Sequence, residues 1–369
     1  MSIQWLLDKM AQNSNEVAII NSHEQITYGD ILRRYDNIGG VATVEGYGYT
    51  PPEISEFVVA MVLHCGTENV PIEIMTSGTT GKPQVTHHQI ADLIAPFKDK
   101  QLEKQRMIFY LMVDHIGGLN TLLRSLVSCS TLIIPDDRGV DGVCRAIEEH
   151  KAEVLPATPS FLNMLLMRGA HKEYDLDSLK VISFGTEVMT ISLINRLKLA
   201  FPVVRFVQAY GTTELGILRT QTHPDNPLYI HFPDPEVWVD GGTLWVKGKD
   251  TGDEVDYFFE EGKTWMRIVG RKSDVINVGG IKVHPHEVEE VLMRMEGVQD
   301  VVCYGEVNSI MGKIVVAKFN LKDGVDSANW KEKVWNYCED EGVEKHCVPL
   351  KVIVTSEELF SARGKKARK

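Results

Sequence analysis

Between residues 107 and 207 the chain repeats one pattern, a short apolar run followed by a stretch with apolar residues at helical spacing. The runs at 107–112, 132–135, 154–156, 181–184 and 206–207 read as buried strands. The stretches at 140–150, 159–167 and 191–201 read as helices. Strands that alternate with helices imply a mainly parallel sheet covered on both faces, because each parallel pairing needs a crossover long enough to hold a helix.

The flanks differ from this region. Residues 2–10 read as a short helix, 17–20 as a strand, Ile26-Thr27-Tyr28 as the start of a second helix, and 54–64 as another. Beyond Gly216 the texture becomes β-rich, with a hairpin expected around Gly241-Gly242 and a strand over 264–269. From Lys272 a compact α+β segment is expected, with helices over 286–295 and 330–341 and strands over 301–305 and 314–320. The expected fold class is α/β. A large N-terminal α/β domain (1–271), with a mainly parallel sheet and a small β subdomain, precedes a small, mobile α+β C-terminal domain (272–369).

Two properties narrow the function. The net charge of −12 argues against a general nucleic-acid or anionic-membrane binder. The six cysteines form no C-x-x-C pair, so neither a zinc knuckle nor a redox motif is indicated, and reduced thiols in a cytoplasmic protein fit best. Residues 1–10 carry Asp8 and read as an amphipathic helix, not a signal peptide, and no apolar run reaches membrane-spanning length.

The first chemical motif is Thr76-Ser77-Gly78-Thr79-Thr80-Gly81-Lys82-Pro83. Its glycines let backbone N–H groups curl around an anion, its hydroxyls add donors, and Lys82 adds charge. Such a loop suits a polyphosphate, although its spacing is not that of a Walker A loop. Gln208-Ala209-Tyr210-Gly211-Thr212-Thr213-Glu214 follows an apolar strand, at the strand end where open α/β sheets bind ligands. Its carboxylate could hold Mg²⁺ on a nucleotide phosphate. A capped turn before a helix is the plain structural alternative. Phe184-Gly185-Thr186-Glu187 ends the preceding strand, and could equally be a helix start with Thr186 as cap. The carboxylate of Thr251-Gly252-Asp253 offers two acceptors to a diol, though Thr-Gly-Asp is also a common turn.

These stretches, with Gly270-Arg271-Lys272-Ser273-Asp274 through Gly279-Gly280 and the terminal Gly364-Lys365, occur in the order found in the adenylate-forming superfamily. That group includes acyl-CoA synthetases, peptide-synthetase adenylation domains and luciferases. The resemblance runs from about Ile72 to the end, most specifically over 270–291, where it is nearest to acyl-CoA synthetases. It implies an unusually short member with a reduced N-terminal region.

By that resemblance Thr76 to Lys82 cradle phosphates, and Gly185, Thr186 and Glu187 line adenine. Within Ala209, Tyr210, Gly211 and Thr212, the tyrosine stacks on the base. Thr213 contacts the α-phosphate and Glu214 binds Mg²⁺. Asp253 accepts the ribose hydroxyls and Arg271 contacts ribose or phosphate. Lys272 and Ser273 form the hinge, where Ser273 replaces the usual Asp or Lys. Gly279 and Gly280 lie along a pantetheine arm, Lys365 bridges the carboxylate and the α-phosphate, and His115, Gly117 and Gly118 border the acyl pocket. The implied activity is ATP-dependent conversion of a small carboxylic acid to acyl-AMP and then to a thioester, with ATP, Mg²⁺ and CoA. A carrier-protein phosphopantetheine or an amine is the alternative acceptor, and a non-catalytic nucleotide-binding scaffold is the second alternative.

Overall fold

Seven strands form the sheet that dominates the first half of the chain, in the order Gln25–Thr27, Val17–Ile20, Thr131–Ile133, Arg106–Ile108, Val154–Ala157, Val181–Phe184, Arg205–Gln208. The computed structural model describes residues 2–37, 56–76, 84–113, 115–357 and 359, with the side chains of Glu56, Phe57, Met75, Thr76 and Gln84 left out. The chain divides into two compact units, one of residues Met1–Thr186 with Arg196–Thr220, the other of Glu187–Asn195 with Gln221–Lys369.

In the first unit all neighbouring strands of the large sheet run parallel except Gln25–Thr27, an antiparallel edge. Val154–Ala157 is buried at every position, as a strand covered on both faces should be. The helices Val140–His150 and Pro159–Arg168 have the expected limits to within a residue. Each stops where the next residue turns left-handed, at Lys151 (φ 49°) and Gly169 (φ 74°), and that geometry ends the i→i−4 ladder. The early helix Tyr28–Asp36 is started by a capping box, in which Thr27 accepts from the Asp30 amide while Asp30 accepts from the Thr27 amide. Tyr28 is fully buried and its hydroxyl donates to the Ser130 carbonyl at 2.6 Å, tying that helix to the sheet. Burial pushes the Tyr28 phenol well above its ordinary range, with smaller contributions from Cys129 and Glu16.

Some expectations shift. The strand expected over 107–112 is Arg106–Ile108, extended by a bond from the Phe109 amide to the Ile133 carbonyl at 2.8 Å. The helix expected from 54 is described as Glu56–Glu68. A further helix is Ile116–Ser128.

The second unit holds two sheets. One is antiparallel, ordered Gln221–Thr222, Ile230–His231, Lys263–Arg271, Lys249–Glu260, Thr243–Val246, Val237–Asp240. Its last two strands are the expected hairpin, with Gly241 and Gly242 both at positive φ in the two-residue turn. The other contains Ile281–Val283, Ile276–Val278, Gly312–Leu321 and Val298–Asn308, with Lys351–Val354 parallel to Gly312–Leu321. Val288 and Leu292 from one helix and Trp330, Val334 and Cys338 from another bury its Val301, Cys303, Ala317 and Phe319. The α+β character expected beyond Lys272 is present.

Candidate active site

The first unit brings two of the sequence-selected segments together at the C-terminal ends of neighbouring parallel strands, with the start of a helix against one of them. Val181–Phe184 and Arg205–Gln208 pair in register, Phe184 opposite Gln208, and the Ala209 amide donates to the Phe184 carbonyl at 2.8 Å. Gly185 and Ala209 are therefore neighbours just beyond the sheet. A Cβ on Gly185 would sit 2.6 Å from the Ala209 carbonyl oxygen, closer than a carbon and an oxygen can approach. The glycine keeps the two backbones in contact, at a strand end suited to a flat ligand. Thr186 follows at φ 70°, a conformation uncommon for a β-branched residue. Gly117, in the first turn of the Ile116–Ser128 helix, faces the Thr186 methyl, which would lie 3.7 Å from an added Cβ. Gly118 has a different surrounding. A Cβ there would sit 1.9 Å from the Met112 carbonyl oxygen, so backbone packing alone calls for glycine at 118.

The Tyr210 segment does not start a helix. Tyr210–Thr212 and Gly216–Leu218 form an antiparallel hairpin, with Tyr210 opposite Leu218. A side chain at Gly211 would meet the Gly216 carbonyl oxygen at 2.5 Å, so this close crossing requires glycine. Thr212 is buried and its hydroxyl accepts from the Leu215 amide at 3.2 Å, which closes the turn. Tyr210 is buried, Thr213 is half-buried and Glu214 is exposed at the turn. Glu187 is half-buried.

Of the phosphate loop, Ser77, Gly78, Thr79, Thr80, Gly81 and Lys82 lie outside the described residues, as does Lys365. The flanking strands Ile72–Thr76 and Gln84–His88 are antiparallel, with Thr76 opposite Gln84. At the far end of the second strand, His88 Nε2 lies 2.5 Å from the Thr213 carbonyl oxygen. Because a carbonyl only accepts, Nε2 carries the proton and donates. This bond ties the strand after the loop to the hairpin that carries Thr213 and Glu214. From the sequence alone His88 has no role of this kind: adjacent to His87, it suits neither a shared metal nor any of the motifs. The available signal was a polar donor closing the strand directly behind the loop.

In the second unit Asp253, Arg271, Lys272 and Ser273 lie close together. Asp253 stands opposite Arg271 across two antiparallel strands, and the Arg271 Nε donates to Asp253 Oδ1 at 3.0 Å. Thr-Gly-Asp is not an isolated turn. It opens the long strand Lys249–Glu260, with Gly252 at φ 74° and the Thr251 hydroxyl donating to the Leu244 carbonyl at 2.8 Å. The Lys272 amide donates to the Gly252 carbonyl at 2.9 Å, and the Ser273 hydroxyl lies 3.0 Å from Asp274 Oδ1. Gly279 and Gly280, at φ 59° and 91°, form the two-residue turn between Ile276–Val278 and Ile281–Val283. Turn geometry favours glycine there, because both central residues need positive φ.

Comparison with known proteins shows the family. The AMP-binding enzyme family matches residues 66–242, and the AMP-binding enzyme C-terminal domain matches residues 287–365. The chain belongs to this adenylate-forming family. A 2-succinylbenzoate–CoA ligase of Staphylococcus aureus is 25% identical to this family member over 298 residues, which cover 69% of the chain and 58% of the relative. The chain thus spans less than two thirds of that curated relative's length. The fold matches that of an amide bond synthetase, McbA, from Marinactinospora thermotolerans, with a TM-score of 0.73 at 16% identity, covering 98% of this chain and 97% of that one. It also matches o-succinylbenzoate CoA synthetase (MenE) from Bacillus subtilis in complex with its acyl-adenylate intermediate, with a TM-score of 0.68 at 17% identity, covering 98% and 96%. Among the described residues no helix is long and apolar enough to cross a membrane.

Proposed function

We propose that this protein activates a small carboxylic acid with ATP and transfers the acyl group to a thiol, CoA being the preferred acceptor. The observation that carries the reading is the contact of Gly185 with Ala209 at the ends of two parallel strands, beside the hairpin of Tyr210, Thr213 and Glu214. In this reading Gly185, Thr186, Glu187, Ala209, Tyr210, Gly211 and Thr212 receive adenine, while Thr76 to Lys82 and Thr213 meet the phosphates. Asp253 and Arg271 serve the ribose, and His115, Gly117 and Gly118 border the acyl group.

A carboxylate oxygen of the substrate attacks the α-phosphorus. One P–O bond forms, the bond to the β-phosphate bridge breaks, and pyrophosphate leaves. A thiolate then attacks the activated carbonyl and AMP departs. Developing charge is met by backbone donors and by Lys365. Mg²⁺, when bound, neutralises phosphate charge. The exposed carboxylate of Glu214 fits that ion, which ordinarily takes one or two carboxylates and completes its shell with phosphates and water. Lys272 and Ser273 serve as the hinge about which residues 272–369 turn, so that Lys365 acts in the first step and Gly279–Gly280 line the thiol in the second.

The test is pyrophosphate release from ATP with a panel of carboxylic acids, followed by product analysis with CoA, a phosphopantetheinylated carrier protein or an amine. Thioester formation with CoA is expected. Exclusive amide or carrier-bound product would replace the acceptor, and absence of pyrophosphate with every acid would leave a nucleotide-binding scaffold.

A further inference from the structure

Three acidic residues near the start of the strand Lys249–Glu260 each hold a cation at the end of its partner strand Lys263–Arg271 or in the segment beyond it. Asp250 lies 3.2 Å from Lys272 Nζ, Asp253 lies 3.0 Å from Arg271 Nε, and Glu254 Oε1 lies 2.8 Å from Lys282 Nζ. The first two contacts grip residues at the proposed hinge. The third reaches beyond it. Glu254 Oε2 is buried without a hydrogen bond, and His284 Nε2 lies 3.7 Å from it. The neighbouring strand makes room for that ring. Gly270 pairs with Glu254, and a Cβ on it would sit 2.8 Å from His284 Nδ1.

The contact is enclosed. The Glu254 side chain is 13% exposed and that of His284 19%, so neither group is a solvated surface partner. Lys282 and His284 flank Val283, in the strand that leaves the Gly279–Gly280 turn. A carboxylate anchored in one sheet therefore holds the arm of a hairpin in the other, across residues 272–273.

We propose that Glu254 is a positioning residue for acyl transfer. It clamps the Gly279–Gly280 hairpin in the arrangement seen here, and the clamp must open for the C-terminal segment to turn about Lys272–Ser273. The inference rests on the two-step reading given under Proposed function. The buried Glu254 carboxylate resists separation from Lys282, because it would be left without a compensating charge, whereas the mostly exposed lysine would be solvated. The clamp thereby sets how long the segment stays in one arrangement, and so how turnover divides between the two half-reactions.

The experiment uses the full-length protein in four forms: wild type, Glu254→Gln, Lys282→Glu and the charge-exchanged Glu254→Lys/Lys282→Glu. Amide hydrogen exchange over 276–283, measured without substrates, should rise about fivefold in each single variant, as expected for one half-exposed ion pair. It should return toward wild type in the exchanged pair. The ratio of acyl-AMP formation to thioester formation from supplied acyl-AMP should change by a similar factor in Glu254→Gln and be rescued in the exchanged pair. Wild-type exchange and an unchanged ratio in Glu254→Gln would overturn the clamp, as would an exchanged pair no better than its parents. If wild type forms no acyl-AMP, the ligase reading fails by itself, and the hydrogen-exchange comparison still decides whether Glu254 holds the hairpin.

Discussion

Asp253 lies directly opposite Arg271, and its carboxylate, 7% exposed, accepts from the arginine Nε at 3.0 Å. Antiparallel register brings together two residues 18 positions apart in sequence. The arginine satisfies the buried carboxylate while its side chain remains about half exposed.

Asp253→Asn preserves size and removes the charge. If Asp253 accepts the ribose hydroxyls, affinity for ATP or AMP, measured by titration calorimetry, should fall by about tenfold, or ~1.4 kcal/mol. The same variant should lose about 1–3 kcal/mol of stability, because the charge-assisted bond to Arg271 is weakened. Nucleotide affinity equal to wild type would remove Asp253 from the binding set.

Gly185→Ala tests the contact between the two strand ends. Its methyl would lie 2.6 Å from a backbone oxygen that no side-chain rotation can move away. The strands must separate, at an expected cost of about 1–3 kcal/mol read from denaturant unfolding. Nucleotide binding should weaken beyond what the residual folded fraction explains. A variant with wild-type stability and affinity would show that the close approach is unimportant.

Lys365→Ala should cripple ATP-dependent activation by about two to three powers of ten, the usual loss for one oxyanion-type donor. Thioester formation from prepared acyl-AMP and CoA should stay near normal. Lys366→Ala is the control and should resemble wild type. Equal loss in both steps, or loss in neither, contradicts an alternating C-terminal segment.

Burial pushes the Cys144 thiol up to about 12, with the nearby Asp141 adding to the shift, and pushes Cys338 and Cys347 up to about 11. A raised folded-state value means that the neutral thiol is favoured by folding. Its contribution is complete below the unfolded thiol's ordinary 9 and is lost as pH rises through 11 to 12. Thermal stability should therefore decline above about pH 9 through these groups. Native alkylation at pH 8 should be slow at all three sites and become fast after unfolding. Rapid native labelling of Cys144 would contradict its burial.

Much of the first unit was legible because its signals are local. An apolar run such as Val154–Ala157 has to be buried whatever surrounds it, and the spacing in Val140–His150 has one helical solution. The Gly241-Gly242 turn announces its hairpin for the same reason, since positive φ at both positions is a property of the turn itself. The order of motifs was likewise enough to indicate the family, because each is a short string with its chemistry inside it. Other features depend on partners far along the chain. The Tyr210 segment reads equally well as a helix start, and becomes a strand because Gly211 can press against Gly216. His88 is one more polar residue until folding puts the Thr213 carbonyl 125 positions away within its reach. Glu254 gains its meaning only when Gly270 leaves room for His284 beside it. Periodicity and turn chemistry are set by neighbours in sequence, so the chain alone determined the elements and the motifs. Contacts between distant backbones depend on which strands lie side by side, and only the tertiary structure decided that.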